Sequence, residues 1–281
     1  MIVPAHNEEA VIRQCLDTIV SQQGIDEFEI LVVCNGCTDL TAEIVRNEYP
    51  SVRVLESPVA SKVAALNLGD VEATFFPKFF VDADVTLSDG CLQTMVEAMS
   101  ASGKPVAAPT MRFDVSQASW MAKQFHRIWQ RSPYFTSGNL VGAGFYGISK
   151  DARARFDEFP DLLADDMFIP MSFDPNERLS VEGCTFTPAL PRRVRDLVRI
   201  EIRRHTAVAQ FHDEFPEALD RTNDDAFAQG HGWLADELAS PLDWPGVAIY
   251  AGVKLWARIA GHVRLNRTGT SEWTQDRSTR S

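Results

Sequence analysis

An open α/β sheet is the fold this 281-residue sequence predicts. Three observations carry the prediction. Short β-rich runs alternate with amphipathic helical patterns through the first half of the chain. A polar loop directly follows most of the runs, as at the ligand-binding edge of a doubly wound sheet. A hydrophobic content of 45% over this length is enough to bury a full core.

The elements follow in order. Ile2-Val3 ends a first strand, Glu29 to Val33 forms a second, Val52 to Leu55 a third and Phe79 to Val81 a fourth. Asn7 is placed to cap the first helix, with Glu8 and Glu9 in its opening turn and Val11, Cys15 and Ile19 facing the sheet. Thr38 or Asp39 can cap a second helix from about Leu40 to Asn47. Ser61 can cap a third that runs through Leu68 and stops at Gly69. Beyond the fourth strand the rhythm changes. Ser88 opens a helix to Met99, Val106 to Ala108 is a strand, and Ser116 to Gln130 is a long helix. The glycine-rich Ser137 to Ser149 ends in β-like Phe145 to Ile148, as expected of a loop and strand lining a site. From Pro191 the chain is mainly helical and rich in arginine, and after Thr268 it is polar and expected to be loosely ordered.

Composition narrows the partners. A net charge of −12 argues against nucleic acid, whose phosphates recruit basic surfaces. Five sparsely spaced cysteines, Cys15, Cys34, Cys37, Cys91 and Cys184, suggest reduced thiols and a cytoplasmic setting. Met1-Ile2-Val3-Pro4 has neither the basic flank nor the apolar run of a secretory leader and reads as the inside of a strand. Trp244 to Leu265 is the most apolar stretch, but Lys254, Arg258 and His262 interrupt it. It is either a helix packed on the core or an amphipathic surface helix. In the second case Lys254, Arg258 and Arg264 lie on one side and Val247, Tyr250, Leu255 and Ile259 around the rest.

Residues with chemistry gather after the predicted strands. Pro4-Ala5-His6-Asn7-Glu8 follows the first and Cys34-Asn35-Gly36-Cys37-Thr38-Asp39 the second, and both suit a nucleoside. Asp82-Ala83-Asp84 follows the fourth. Its two carboxylates at i and i+2 suit Mg²⁺ or Mn²⁺, or else mark a solvated turn. Lys62 at the start of a helix is an anion-site cation or a surface lysine. Asp165-Asp166 is either an acidic helix start or a carboxylate pair in which one member acts as general base. Cys34-x-x-Cys37 has the placement of a redox pair, which leaves the aspartates and Lys62 unexplained.

Taken in order, these segments resemble the family-2 glycosyltransferases from Ile2 to about Arg204. Ile2 to Glu8 and Val32 to Thr41 are similar to the family's two nucleotide loops, and Phe80-Val81-Asp82-Ala83-Asp84 to its metal motif. Asn35 stands where many members have the acid that contacts the base, and its carbonyl oxygen can still accept. The resemblance implies a GT-A fold: an open mixed sheet with helices on both faces, followed here by a C-terminal helical extension. It implies a transferase domain at 1–210, with a nucleotide-sugar half at 1–110 and an acceptor half at 111–210, and an extension and tail at 211–281.

The donor residues it implies are Pro4, Ala5, Asn7, Glu8, Asn35, Lys62, Asp82 and Asp84, with Asp84 as the ligand of Mg²⁺ or Mn²⁺. Asp166 matches the family's base, and Asp165 stands where glutamate is commoner. The expected activity is inverting, metal-dependent transfer from a nucleotide-diphosphate-sugar to an acceptor hydroxyl on a sugar, a lipid-linked or a small molecule. The Gln-x-x-Arg-Trp motif of processive synthases is absent from the sequence, which favours a single transfer. The arginines from Arg192 to Arg204 are a solvated basic helix or a surface for phosphates or an anionic membrane, which would make the protein peripheral at the inner face of the membrane. A nucleotidyltransferase shares the aspartate chemistry but usually opens on a glycine-rich loop, and a non-catalytic sugar-nucleotide-binding protein is the remaining alternative.

Overall fold

The computed structural model describes residues 1–25, 27–136, 144–161, 165–214 and 231–268, without the side chains of 165–167, 171, 210–214, 231 and 264–268. The elements begin β1 (Ile2–Ala5), α1 (Ile12–Val20), β2 (Leu31–Asn35), α2 (Thr41–Glu48), β3 (Arg53–Ser57) and α3 (Lys62–Glu72). They continue β4 (Lys78–Val81), β5 (Val85–Leu87), α4 (Cys91–Ser102), β6 (Val106–Met111), α5 (Trp120–Trp129), α6 (Pro133–Thr136) and β7 (Phe145–Ile148). Then come α7 (Lys150–Arg153), α8 (Asp165–Ser172), β8 (Arg178–Pro188), α9 (Val194–Glu214), α10 (Leu234–Glu237) and α11 (Trp244–Thr268).

Contacts divide the chain into two compact units. The first holds Met1–Arg112, Asn139–Asp161 and Asp165–Pro188, and the second holds Phe113–Gly138, Leu162–Ala164 and Ala189–Ser281.

The first unit is built on an eight-stranded mixed sheet in the order β3-β2-β1-β4-β7-β6-β8-β5. β3, β2, β1 and β4 are parallel, β7 is antiparallel to both of its neighbours, and β6 pairs with β8 in parallel. Strands covered on both faces are apolar at every position, with the pleat sending successive side chains to opposite sides. Val3, Val32, Phe79 and Val81 join one cluster with Leu16 of α1, Val45 of α2 and Met95 of α4. Ile2, Leu31, Val33 and Phe80 join the other with Leu66 of α3 and Ile169 of α8. The open mixed sheet with helices on both faces is thus as expected.

Several boundaries differ from the sequence reading. Asn7 is not a helix cap: it sits at φ 54°, a left-handed conformation asparagine tolerates, and α1 begins at Ile12 behind Val11. Gly69 does not end α3, which runs on to Glu72. A Cβ there would lie 2.5 Å from Ile2 Cγ2, so the glycine lets helix and strand approach. The helix expected from Ser88 starts at Cys91, and that expected from Ser116 starts behind Ser119, whose hydroxyl accepts from Ala122 N. β5 and β8 were not foreseen; β5 is only three residues long, and β8 lacks strict alternation and carries a register shift opposite Pro109/Thr110.

In the second unit, Phe125 and Ile128 of α5, Leu197 of α9 and Val247, Tyr250 and Val253 of α11 share a core. Lys254 Nζ and Arg204 Nη1 reach the buried Glu201 at 2.6 and 3.1 Å. The helical expectation after Pro191 is met by α9, and the tail beyond Thr268 lies outside the described residues. Among the described residues no helix is long and apolar enough to cross a membrane.

Gly69→Val is expected to lower unfolding free energy by about 1–3 kcal/mol, the usual cost of overpacking a tight contact. Urea denaturation monitored by circular dichroism checks this.

Candidate functional site

The site forms where β1, β2 and β4 end. The first two loops are sewn together by reciprocal hydrogen bonds. His6 Nδ1 donates to Asn35 O at 2.5 Å, which leaves Nε2 as the acceptor for Asn7 Nδ2 at 3.3 Å and so fixes the tautomer. Asn7 Oδ1 accepts from Thr38 N at 2.8 Å, and Glu8 N donates to Thr41 Oγ1 at 2.8 Å. Glu9 N reaches Asp39 Oδ2, and Glu9 Oε2 takes Leu40 N in return. The left-handed turn at Asn7 is what lets its amide reach across to Thr38.

Cys37 belongs to this seam. Its Sγ accepts from Asn7 N at 3.4 Å and donates to Ala5 O at 3.3 Å. A hydrogen bond from Cys34 and the Asn7 N–H lower the Cys37 thiol's pKa, and that same bond, with burial, raises the Cys34 thiol's. The Cys-x-x-Cys spacing therefore serves to pin the loops.

Pro4, Lys62, Leu66, Phe80, Val81, Asp82, Gly144 and Tyr146 line a small open cleft. Lys62 is the first residue of α3 because Ser61 caps the helix, its Oγ accepting from Ala64 N at 3.2 Å. The Lys62 ammonium lies 2.8 Å from Asp82 Oδ1, and both side chains remain partly exposed. Asp82 N donates to Gly144 O at 2.8 Å. Gly144 adopts φ 97°, open to glycine, and a Cβ there would come within 3.6 Å of Asp82 Oδ2.

Asp84 is half-buried two residues on, beyond the buried Ala83. The buried Cys15 thiol lies within the field of this turn. Burial first, and then the charges of Asp84, Asp82 and Glu8, push its pKa far above the ordinary thiol range. That acidic field is what a divalent cation would neutralise. Among the described residues no three His, Cys, Asp or Glu side chains gather as metal ligands. Two carboxylates at the end of a strand suit Mg²⁺ or Mn²⁺, which complete their shell with phosphate and water oxygens.

α8 begins at Asp165, so Asp165 and Asp166 occupy its first turn, with side chains outside the described residues. Phe168 of α8 stacks edge-on against Phe159 at 6.0 Å between centroids, Phe159 against Phe80 at 5.1 Å, and Phe80 lies parallel to Tyr146 at 5.1 Å. Asn67 of α3 holds the segment before α8, accepting from Phe159 N at 2.8 Å and donating to Phe159 O at 3.0 Å. The run Lys62 to Asn67 had pointed to the helix but not to Phe159, the partner of Asn67, whereas the strand Phe145 to Ile148, which carries Tyr146, was expected to line a site.

The sequence profile described as glycosyl transferase family 2 matches residues 1–159. The chain belongs to this family. Among curated members, it is 30% identical over 161 residues to the uncharacterised glycosyltransferase YibD of Escherichia coli, covering 54% of this chain and 44% of that protein. It is 28% identical over 130 residues to the glycosyltransferase AglE of Haloferax volcanii, covering 44% and 43% respectively. The chain thus spans less than half the length of these relatives.

Among solved structures, a mannosyltransferase of Pyrobaculum calidifontis, in complex with GDP-Man and Mn²⁺, matches with a TM-score of 0.58. It is 20% identical and covers 97% of this chain and 75% of its own. S. aureus TarS 1-349 in complex with UDP-GlcNAc matches with a TM-score of 0.52 at 17% identity, covering 98% and 93%. The family-2 chain shares their fold, the GT-A arrangement expected from its loops.

Two lysine–aspartate pairs join α3 to β4, and they should respond differently to mutation. Lys78 Nζ lies 2.9 Å from Asp70 Oδ1, and Arg153 Nε lies 2.7 Å from Asp70 Oδ2, all three side chains being largely buried. Asp70→Asn is expected to cost about 3–5 kcal/mol by leaving two buried cations short of their counter-charge. Asp82→Asn is expected to change stability by under about 1 kcal/mol, as for exposed pairs. Paired urea melts measure the contrast.

Proposed function

We propose that this chain transfers a sugar, with inversion at the anomeric carbon, from a nucleotide-diphosphate-sugar to an acceptor hydroxyl, once per encounter. The observation that carries the reading is the Lys62–Asp82 pair in the cleft, 2.8 Å apart and immediately before Asp84. One ammonium and two carboxylates stand where β4 ends, beside two interlocked polar loops. Family membership supports transfer from a nucleotide sugar, and the GDP-Man and Mn²⁺ held by the matched mannosyltransferase and the UDP-GlcNAc held by TarS support the donor class and the metal.

In this mechanism the residues divide as follows. Pro4, Ala5, Asn7, Glu8 and Asn35 frame the nucleoside, with the Asn35 side-chain carbonyl accepting from the base. Lys62 exchanges Asp82 for a phosphate oxygen, and Asp82 is then free to accept from a ribose hydroxyl. Mg²⁺ or Mn²⁺ on Asp84, when bound, adds positive charge at the leaving diphosphate. Asp166, with Asp165 beside it, takes the proton of the acceptor hydroxyl. The new C–O bond forms as the bond from the anomeric carbon to phosphate breaks, and nucleoside diphosphate departs. Residues 1–110 are the donor half, 111–210 the acceptor half and 211–281 the extension. The described cysteines are all free, which supports a cytoplasmic setting.

Asp166→Asn is expected to slow transfer by ~10²-fold or more while donor affinity holds, because it removes a base and not a donor contact. Asp84→Asn should weaken both Mn²⁺-stimulated donor hydrolysis and nucleotide affinity. A nucleotide-sugar panel with Mn²⁺, scored for nucleoside diphosphate release, checks both. Wild-type turnover by Asp166→Asn would remove the base assignment, and release that a chelator leaves unchanged would remove the metal.

A further inference from the structure

The helix α11 is apolar on two sides. Val247, Tyr250, Val253 and Ala257 are buried within their own unit. On the other side Trp244, Leu255, Trp256, Ile259 and Val263 are 56, 62, 62, 53 and 46% exposed. At 3.6 residues per turn these five fall within an arc of about 120°, and from Trp244 to Val263 they extend roughly 28 Å along the axis. The arc contains no Asp, Glu, Lys or Arg. Single exposed apolar residues are ordinary, but five on one helix face form a partner surface.

The charge pattern identifies the partner. In a chain with 39 acidic and 27 basic residues, α11 contains no Asp or Glu across its 25 residues. Its charges are Lys254, Arg258, Arg264 and Arg267. Lys254 is committed to Glu201 at 2.6 Å, whereas Arg258 is exposed at the edge of the apolar arc. In the same unit, the Arg195 and Arg199 side chains are 65% and 77% exposed, both within reach of the buried Asp196 at 3.6 and 3.5 Å. An apolar stripe with tryptophans and an exposed arginine at its edge, on a helix without Asp or Glu, suits the boundary of an anionic bilayer.

We propose that α11 lies in the plane of an anionic lipid surface, with Trp244, Leu255, Trp256, Ile259 and Val263 at the headgroup boundary and Arg258 on lipid phosphates. The proposal uses none of the transferase residues and stands without that reading.

Sedimentation of the full chain with vesicles containing about one third phosphatidylglycerol tests it. Wild type is expected to sediment with them, to bind pure phosphatidylcholine vesicles less, and to lose binding as salt rises. The double variant Trp256→Glu, Ile259→Glu is expected to bind at least about tenfold less, with its thermal midpoint and vesicle-free donor hydrolysis unchanged. Failure of wild type to bind, or equal binding by the double variant, would overturn the proposal. So would a lowered thermal midpoint in the variant, which would mean the chain's own residues cover the stripe. A wild-type dimer lost in the variant, without vesicle binding, would assign the stripe to self-association.

Discussion

The register of β4 between β1 and β7 is the constraint on which the site depends. Phe80 is opposite Ile2 on the parallel side and Tyr146 on the antiparallel side. Because side chains alternate, a slip of one residue would carry Phe79 and Val81 to the face now filled by Phe80, and would turn the carboxylates after the strand to the wrong side. The stack of Tyr146, Phe80, Phe159 and Phe168 resists such a slip, and it also connects the donor strand to α8. The positions of Asp82 and of the helix that begins at Asp165 are thus set by one aromatic series.

The helix α3 is fastened to the same strand at both ends. Lys78 at the start of β4 meets Asp70 late in α3, and Lys62 at the start of α3 meets Asp82 just past β4. The two pairs are chemically alike, but burial separates their consequences. The inner pair is largely buried and shares Asp70 with Arg153, so little solvent is at hand to replace a lost counter-charge. The outer pair is open to solvent, where exchanging one anion for another costs little. Lys62 can part from Asp82 without loosening the helix, because the inner pair and the close approach at Gly69 still hold it.

Much of this was legible in the residues. The apolar runs Ile2-Val3 and Phe79-Phe80-Val81 announce strands buried on both faces, and the polar residues after them announce the site edge. What was hidden depends on partners distant in sequence. Asn67 has meaning only opposite Phe159, and Tyr146 only opposite Phe80. Gly69 reads locally as a helix stop, and its packing against Ile2 overrides that signal. Asn7 reads as a cap because asparagine is a good one, yet the same amide serves better spanning to Thr38 once the second loop is alongside. β8 escaped because its partners β6 and β5 support a strand whose own sequence lacks regular alternation.

The stretch from Trp244 to Leu265 shows why periodicity alone left its role open. Val247 and Tyr250 meet α5 and α9 residues in a core, whereas Leu255 and Ile259 face outward, so residues grouped together in the sequence divide between two environments. One helix face suffices to join a core. Keeping the second face apolar raises the cost of exposure to water, and keeping acids off the entire helix, in a chain with net charge −12, has no packing reason. A surface that is both apolar and cationic has its free-energy minimum where hydrocarbon meets anionic headgroups, because there the two preferences are met together.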